Sequence, residues 1–399
     1  MKALQFKRNV GKYVASRAAS TLVAGRGAKY GPLSLRDLDP PELPSSDWVK
    51  IRPRLTGICG SDLATIDGRS ARYFEPLVSF PFVPGHEIVA DLDDDSRVVV
   101  EPVLSCVSRN ITPRCAACEQ GHIGNCEMVT FGDLEPGIQT GSCCDTGGGW
   151  ATGLVAHTSQ LHPVSDSMTD EAAVMVEPTA CAVHGALLGR VEAGATVVVI
   201  GAGTLGLLTV AALKKYTDAG QIIVTARYPD QIRAAKMLGA DSVVVSDELP
   251  RAVRRSTGSL AIGDGPIQRL TGGAHVVIDC VGSSASIDQA LRVVRPRGRV
   301  VLVGMPATVQ VELTSLWHRE IELVGAYTYG VETLADGSTA RTFDLAFDLV
   351  NDADLGRLVS ATYPLARYTE ALEHAANAGV RGAFKVAFDL REETERKHL

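Results

Sequence analysis

The second half of the chain alternates short apolar runs with amphipathic stretches. Residues 195–200 form an uninterrupted, largely β-branched run, which is typical of a strand buried on both faces. Strand-like and helix-like segments then alternate, and this rhythm predicts a parallel sheet wound by right-handed crossovers. The further predicted strands are residues 222–225, 241–245, 275–280, 299–303 and 320–325, and the predicted helices are residues 168–188, 229–238 and 286–294.

The first half of the chain has a different pattern. Short β-like runs at residues 48–52, 87–92 and 97–103 are separated by Gly- and Pro-rich loops, which predicts a mostly-β unit. Residues 1–10 and 12–18 are predicted to be the arms of an edge hairpin. Residues 343–350, 370–378 and 385–390 are expected to return to this unit. We therefore predict one domain of residues 1–184 and 327–399, interrupted by an α/β domain of residues 185–326.

Composition and charge exclude several classes of partner. The chain is 45% hydrophobic and 21% charged, as in an ordinary globular protein, and its formal net charge of -7 argues against nucleic acid or an anionic membrane. It has no apolar run long enough to span a membrane and no secretory signal, so we expect a cytoplasmic protein. Residues 1–36 lack acidic side chains, which also fits a transit peptide; the edge hairpin is favoured because their apolar residues make no helical face.

A glycine-rich loop follows the run 195–200 directly. Gly201, Gly203 and Gly206 form the pattern G-x-G-x-x-G, with Thr204 and Leu205 between them, and an apolar helix-like segment follows. The order strand, glycine turn, helix and second strand is the context that dinucleotide binding requires. Exposed amides at the helix N-terminus would then receive the pyrophosphate.

Nine cysteines occur in the chain, and four of them lie within residues 106–126. Because the chain has no secretory signal, this crowding indicates metal binding rather than disulfides. Cys106, Cys115, Cys118 and Cys126 have the spacing C-x8-C-x2-C-x7-C, which predicts a closed, structural zinc site with four thiolates. The first spacing is long, and His122 is an alternative ligand to Cys106.

Three further residues suggest a second metal site. Cys59 lies among glycines, His86 stands beside Glu87, and Glu177 precedes a proline near the start of a predicted helix. Each has an ordinary structural explanation by itself: a small buried residue, a hydrogen-bonded loop histidine and an acid at a helix N-terminus. Together they offer a thiolate, an imidazole and a carboxylate, which leaves a fourth position open, as in a catalytic zinc site.

In these motifs the chain resembles the zinc-dependent medium-chain alcohol dehydrogenase family. The start Met1–Leu4, the segments 57–62 and 85–87, the four-cysteine segment, Val176-Glu177-Pro178 and the glycine loop occur in the family's order and span nearly the whole chain. The Glu-Pro sequence at residues 177–178 is similar to the one found in the polyol and threonine dehydrogenase branch of the family. The resemblance implies a GroES-like catalytic domain split by a Rossmann domain, hydride transfer between NAD(P) and an alcohol or carbonyl, one catalytic and one structural zinc, and a homodimer or homotetramer.

The resemblance also implies roles for single residues. Cys59, His86 and Glu177 match catalytic zinc ligands, and Glu87 matches an outer carboxylate that becomes a ligand in some members. Ser61 matches the hydroxyl that takes the substrate proton, and Lys385 matches a basic residue that reaches the pyrophosphate. The chain departs from the family at Ala64, where many members carry a relay histidine, at the long Cys106–Cys115 spacing, and in the short segment between Glu87 and Val98.

The strand that follows the glycine loop bears on cofactor choice. NAD-specific sites place an acidic residue about 20 positions beyond the loop, but that position is Ala226 here, with Arg227 next. We therefore predict NADP over NAD, unless Asp230 reaches the ribose. A zinc-free enoyl or quinone reductase and a non-catalytic binding protein remain as alternative functions. The identity of the small-molecule substrate depends on loops such as 66–80 and 140–150.

Overall fold

A computed structural model describes residues 1–264 and 268–392. The chain divides into two units: Met1–Glu177 together with the chain from Asp354 onward, and Pro178–Ala353. The boundaries predicted from the sequence differ, because residues 178–184 and 327–353 belong to the second unit rather than the first. The predicted C-terminal boundary at residue 399 lies outside the described residues. No helix in the described ranges is long and apolar enough to cross a membrane.

The first unit begins with strands and short helices. In chain order they are β1 (Lys2–Phe6), α1 (Val10–Leu22), α2 (Gly27–Tyr30), β2 (Leu33–Asp37), β3 (Trp48–Gly57), α3 (Gly60–Ile66), β4 (Ile88–Asp91), β5 (Arg97–Val100), α4 (Ala116–Glu119), β6 (Leu154–His157), β7 (Leu161–Pro163) and α5 (Asp170–Ala173).

The second unit follows. Its elements are α6 (Val176–Leu188), whose first residues belong to the first unit, then β8 (Thr196–Ile200), α7 (Thr204–Tyr216), β9 (Gln221–Thr225), α8 (Pro229–Met237), β10 (Ser242–Val244), α9 (Leu249–Thr257), β11 (Ala261–Ile262), β12 (Arg269–Leu270), β13 (Ala274–Asp279), α10 (Ser284–Val293), β14 (Val294–Leu302), α11 (Thr314–His318), β15 (Glu322–Gly325), β16 (Val331–Thr333), β17 (Thr339–Arg341) and α12 (Thr342–Asp352). The chain returns to the first unit with β18 (Val359–Tyr363), α13 (Tyr368–Ala376) and β19 (Lys385–Asp389).

The main sheet of the first unit is mixed and largely antiparallel. Its strand order is β18-β19-β3-β4-β5-β7, and β6 also pairs with β3. Strand β3 lies at its centre and pairs antiparallel with β19, β4 and β6. These pairings bring the end of β3, the start of β4 and the start of β19 together, and Cys59, His86 and Glu87 lie at that point.

The second unit contains a six-stranded parallel sheet with the order β10-β9-β8-β13-β14-β15. Numbered from β8, this is the order 3-2-1-4-5-6 of a Rossmann fold. The residues of β8 are all buried, as the uninterrupted apolar run predicted. The predicted architecture, a Rossmann sheet inserted into a mostly-β domain, is therefore confirmed.

Two predictions about elements are wrong. Residues 12–18 belong to helix α1 and not to a hairpin arm; the Asn9 side chain caps this helix by accepting a hydrogen bond from the Lys12 N–H at 2.9 Å. Residues 343–350 lie in helix α12 of the second unit, where the Tyr216 hydroxyl donates to the Leu345 carbonyl at 2.6 Å and Lys215 pairs with Asp352.

Candidate functional site

Cys59, His86 and Glu87 come together where β3 ends and β4 begins. One ligand atom from each lies within 4.8 Å of the other two. The backbone N–H of Gly57 donates to the Glu87 carbonyl at 2.9 Å, which continues the β3–β4 ladder up to these residues. Glycine is needed at position 57 because a Cβ atom there would lie 1.7 Å from a Glu87 carboxylate oxygen.

The cysteine and the histidine share one aspartate. Cys59 is the N-cap of α3, and its N–H donates to Asp62 Oδ2 at 3.0 Å. The other oxygen of Asp62 lies 3.5 Å from His86 Nδ1, which leaves Nε2 as the ring nitrogen for a metal. Burial lowers the pKa of His86, but the charges of Asp62 and Cys59 outweigh it and raise this pKa well above its ordinary value. The role of Asp62 was not predicted from the sequence, although a carboxylate three residues after an N-cap is a capping-box signal.

Glu87 is engaged by Lys385. The Lys385 ammonium donates to both carboxylate oxygens, at 2.6 and 2.7 Å, and the two residues are 3% and 1% exposed. Burial lowers the pKa of Lys385, but the charges of Glu87, Cys59 and Glu177 raise it above its usual value. The partner of Lys385 in the structure is Glu87, because the β19–β3 pairing carries Lys385 to the end of β3. The pyrophosphate contact that the family resemblance implies for Lys385 stays a prediction.

Glu177 and Ser61 lie outside the group formed by Cys59, His86 and Glu87. Glu177 is buried in the first turn of α6 and is not one of the three grouped ligands, although its charge acts on Lys385. Ser61 is the second residue of α3 and is partly buried. Its carbonyl accepts a hydrogen bond from the Thr65 hydroxyl at 3.0 Å.

The four cysteines of residues 106–126 form one buried cluster. Their sulfur atoms all lie within 4.8 Å of one another, and Cys106 is included despite its long spacing. The measured Sγ–Sγ distances of 3.7 Å (Cys106–Cys126) and 4.0 Å (Cys115–Cys126) fit the edges of about 3.8 Å expected when four sulfurs surround one zinc at about 2.3 Å. None of the four is in a disulfide. His122 is exposed and stands outside the cluster.

Backbone N–H groups point at these sulfurs. The Cys115 N–H donates to Cys106 Sγ at 3.4 Å. The Glu127 N–H donates to Cys115 Sγ at 3.5 Å, and the Met128 N–H donates to Cys126 Sγ at 3.4 Å. Burial raises the pKa of Cys115, but hydrogen bonds from the backbone of Glu127 and Cys118 outweigh it and bring the pKa to about 7. These donors favour the thiolate form that binds zinc, whereas burial raises the pKa of Cys118 and raises that of Cys126 to about 11. The donor set therefore fits a structural zinc.

The glycine loop has the shape that the sequence predicts. Gly201 has a φ of +94°, and a Cβ at Gly206 would lie 1.8 Å from the Gly201 carbonyl oxygen. Gly203 is exposed, is the N-cap of α7, and has no atom within 4 Å of its Cβ position. Thr204 and Leu205 form the first turn of that helix. The loop thus leaves open backbone at the helix N-terminus, where a pyrophosphate can approach.

At the end of β9, Arg227 is exposed and its guanidinium carbon lies 5.8 Å from the centre of the Tyr228 ring. Asp230, the alternative partner for a ribose, forms an ion pair with Arg233. Ala226 is buried and contributes no carboxylate to this strand end.

Comparisons with known proteins agree with this architecture. Residues 45–166 match the alcohol dehydrogenase GroES-like domain, and residues 204–343 match the zinc-binding dehydrogenase family. Sorbitol dehydrogenase of Bacillus subtilis is 28% identical over 86% of this chain and 90% of its own length. L-idonate 5-dehydrogenase of Vitis vinifera is 26% identical over 93% of this chain and 94% of its own length.

Among solved structures, a zinc-binding dehydrogenase of Sinorhizobium meliloti with bound NADP superposes with a TM-score of 0.70. It is 23% identical and covers 97% of this chain and 98% of its own. The two family matches fall in the two parts of the fold that carry the cysteine–histidine cluster and the glycine loop. The chain therefore belongs to the zinc-dependent medium-chain alcohol dehydrogenase family and is an NAD(P)-dependent alcohol oxidoreductase.

Proposed function

We propose that this chain is a zinc-dependent dehydrogenase of polyols or related alcohols that prefers NADP to NAD. The observation that carries the proposal is the grouping of Cys59, His86 and Glu87 within 4.8 Å, beside the helix that bears Ser61. The relatives named as sorbitol and L-idonate dehydrogenases support a polyol as the substrate class. Assembly as a homodimer or homotetramer and a cytoplasmic location remain predictions.

We assign Cys59, His86 and Glu177 as the ligands of the catalytic zinc. Glu87 is the outer carboxylate in this assignment, because Lys385 already occupies both of its oxygens. When bound, zinc supplies a Lewis acid that lowers the pKa of an alcohol toward neutrality. Cys106, Cys115, Cys118 and Cys126 hold a second zinc with a structural role.

Other residues of the chain handle the proton and the cofactor. The Ser61 hydroxyl accepts the proton of the alcohol, and its partial exposure lets water take that proton onward. Water or the cofactor ribose is needed for this step because Ala64 cannot relay a proton. Gly201, Gly203 and Gly206 let the pyrophosphate reach the N-terminus of α7, and the nicotinamide supplies the hydride acceptor.

Substitution of the ligands tests this function. Cys59→Ala and His86→Ala should each abolish oxidation of polyols, measured by reduced-cofactor absorbance, while dinucleotide binding stays measurable by fluorescence titration. Cys144→Ala is the matched control, since Cys144 is partly buried but outside both clusters. Near-wild-type turnover by either ligand variant contradicts the proposal. Chelator-insensitive reduction of quinones or enoyl substrates would instead support the zinc-free alternative, and a protein inactive with every alcohol would support a binding role.

The choice between Glu87 and Glu177 is tested by metal analysis. Glu177→Gln should lower the zinc content by about one ion per chain, since it removes a ligand. Glu87→Gln should keep that zinc but lower the affinity of the site for zinc by about 10- to 100-fold, as is typical when a residue that supports a metal ligand is replaced. The reverse pattern would make Glu87 the ligand.

The NADP preference rests on Arg227. A guanidinium can pair with a phosphate through two parallel hydrogen bonds, and the strand end offers no carboxylate to repel a 2′-phosphate. The ion pair between Asp230 and Arg233 supports this choice, because it engages the acidic residue that could otherwise hold the ribose of NAD.

The ratio of kcat/KM for NADP and NAD measures this preference. Wild type should favour NADP, and Arg227→Ala should lose most of that advantage through a higher KM for NADP. Arg254→Ala, at an exposed position of α9, is the control and should leave the ratio unchanged. A wild-type preference for NAD, or an Arg227→Ala variant with full NADP efficiency, contradicts the prediction.

A further inference from the structure

The helical segment of residues 9–30, α1 and α2, is built against helix α3 and was not expected from the sequence. The Ser16 hydroxyl, completely buried, donates to the Ile66 carbonyl at the end of α3. On its other side the segment meets α13. The Asn377 side chain donates to the Ala24 carbonyl at 3.0 Å, and a Cβ at Gly25 would lie 2.7 Å from the Glu373 Cα. The segment is therefore held by contacts with both α3 and α13.

One buried carboxylate joins this segment to α3. Asp67 is the C-cap of α3 and is 1% exposed. Its Oδ1 accepts from the Ser20 hydroxyl at 2.6 Å, and its Oδ2 accepts from the Gly25 N–H at 3.4 Å and from Arg69 at 3.1 Å. A Cβ at Gly27 would lie 2.6 Å from Asp67 Oδ1, so glycine lets α2 approach the carboxylate.

Helix α3 is the element that carries the proposed chemistry. It has seven residues, with Cys59 as its N-cap and Ser61 in its first turn. A helix this short is marginal in water by itself, so its position depends on its tertiary contacts, which include those at its two ends. Asp62 fixes the first end through the Cys59 N–H and His86. Asp67 and Ser16 contact the other end.

We propose that Asp67 is a positioning residue for the dehydrogenase reaction. It couples the segment 9–30 to α3 and thereby sets where Ser61 and Cys59 stand relative to the substrate oxygen. The Ser20–Asp67 hydrogen bond is the shortest one that the carboxylate accepts from the segment. This inference rests on the proposed role of α3 and adds a residue that neither contacts the metal cluster nor belongs to it.

Steady-state kinetics of Asp67→Asn test the coupling. We expect kcat/KM for the alcohol to fall by about 10- to 100-fold, the size of effect that a small displacement of reacting groups produces. The KM for the dinucleotide and the zinc content should not change. Asp170→Asn is the matched control: Asp170 is also a buried carboxylate of the first unit with arginine partners, but those partners are in β3, in β5 and after β19. It should lower the melting temperature and leave kcat/KM unchanged.

Ser20→Ala provides a second, milder test in case Asp67→Asn does not fold. It should lower kcat/KM several-fold, Ser20→Thr should restore it, and the double variant with Asp67→Asn should be no worse than Asp67→Asn alone. Suppose that Asp67→Asn lowers kcat/KM no more than Asp170→Asn does, while Ser61→Ala is impaired. The positioning role of Asp67 is then wrong, and the proposed function still stands. A Ser61→Ala variant with wild-type rate and pH profile contradicts the proposed function instead.

Discussion

Arg109 lies three residues after Cys106, and its guanidinium is completely buried. All five of its N–H groups are used. Nε donates to the Leu104 carbonyl, and the terminal nitrogens donate to the carbonyls of Phe131, Leu134, Glu135 and Gly137 at 2.7–3.2 Å. All five of these acceptors are backbone carbonyls. Burial lowers the pKa of Arg109 below its ordinary value. Arg109 thus ties the loop 131–137 to the start of the four-cysteine segment.

Replacing this side chain should loosen that segment. Arg109→Met leaves several buried carbonyls without donors, at about 1–3 kcal/mol each, so we expect a clearly lower melting temperature. We also expect faster zinc release to a chromogenic chelator. Arg109→Lys keeps the charge but not the fork of donors, and should recover only part of the loss. Arg297→Met, at a side chain that is 82% exposed, is the control. A wild-type melting temperature for Arg109→Met would contradict this role.

The Lys385–Glu87 pair allows a second test at the residue scale. Lys385→Met leaves a buried carboxylate without its cation, which typically costs about 3–5 kcal/mol. The double variant Lys385→Met with Glu87→Gln should unfold at a higher urea concentration than Lys385→Met alone, because it carries no unpaired charge. If Lys385→Met instead keeps its stability and raises the KM for the dinucleotide, the pyrophosphate contact implied by the family resemblance is the correct role.

At the scale of single residues, the sequence identifies candidate ligand side chains more readily than it identifies the residues that contact them. Cys59 and His86 were identifiable because thiolate and imidazole side chains stand among glycines, and the structure groups them with Glu87. The partner of Lys385 was not identifiable, since it depends on the pairing of β19 with β3 across most of the chain. Asp67 and Arg109 were missed for the same reason: their partners come from segments distant in sequence.

At the scale of elements, the parallel strands were predictable and helix α1 was not. Strands such as β8 are buried on both faces and therefore read as continuous apolar runs. Helix α1 has no apolar stripe, because its one fully buried residue is Ser16 and its exposed positions include Val10, Val14 and Leu22. Hydrogen bonds to α3 and its C-cap hold this helix in place of the apolar contacts that usually do so. The hydrophobic periodicity therefore gave no helical signal, and a hairpin was predicted there. The cap at Asn9 was the remaining signal.

Asp170 joins several elements of the first unit, and its removal should affect them together. Its carboxylate, at the start of α5, accepts from Arg54 of β3 at 2.9 Å, Arg97 of β5 at 3.0 Å and Arg391 beyond β19 at 3.4 Å. Asp170→Asn leaves three arginines with less negative charge in a site where the carboxylate is 4% exposed. We expect the free energy of unfolding to fall by about 3 kcal/mol. Asp166→Asn, exposed and four residues earlier, should change it little. Equal stability of the two variants in urea would contradict the network.

At the scale of the whole molecule, the proposed metal ligands and the glycine loop belong to different units. The seven clustered metal-site residues all lie within Met1–Glu177, and Gly201–Gly206 lies within Pro178–Ala353. Each unit has its own apolar core. One surrounds Trp150 and Phe388, and the other surrounds Val198, Val277 and Val300 of the parallel sheet. A unit with its own core can keep its structure when the other is perturbed.

Zinc removal should therefore separate the two functions. We expect about two zinc ions per chain in protein purified without added metal, one from an open and one from a closed site. A chelator should remove the open-site zinc first and abolish alcohol oxidation. Binding of adenosine 2′,5′-bisphosphate, measured by calorimetry, should persist within about threefold, since no metal ligand contributes to the parallel sheet. Cys115→Ser should remove one zinc and lower the melting temperature with the same retention of nucleotide binding. A steady content near one zinc per chain, with the zinc content and melting temperature of Cys115→Ser unchanged, would show that the four-cysteine cluster binds no metal. A loss of nucleotide binding in parallel with zinc removal would show that the two units unfold as one.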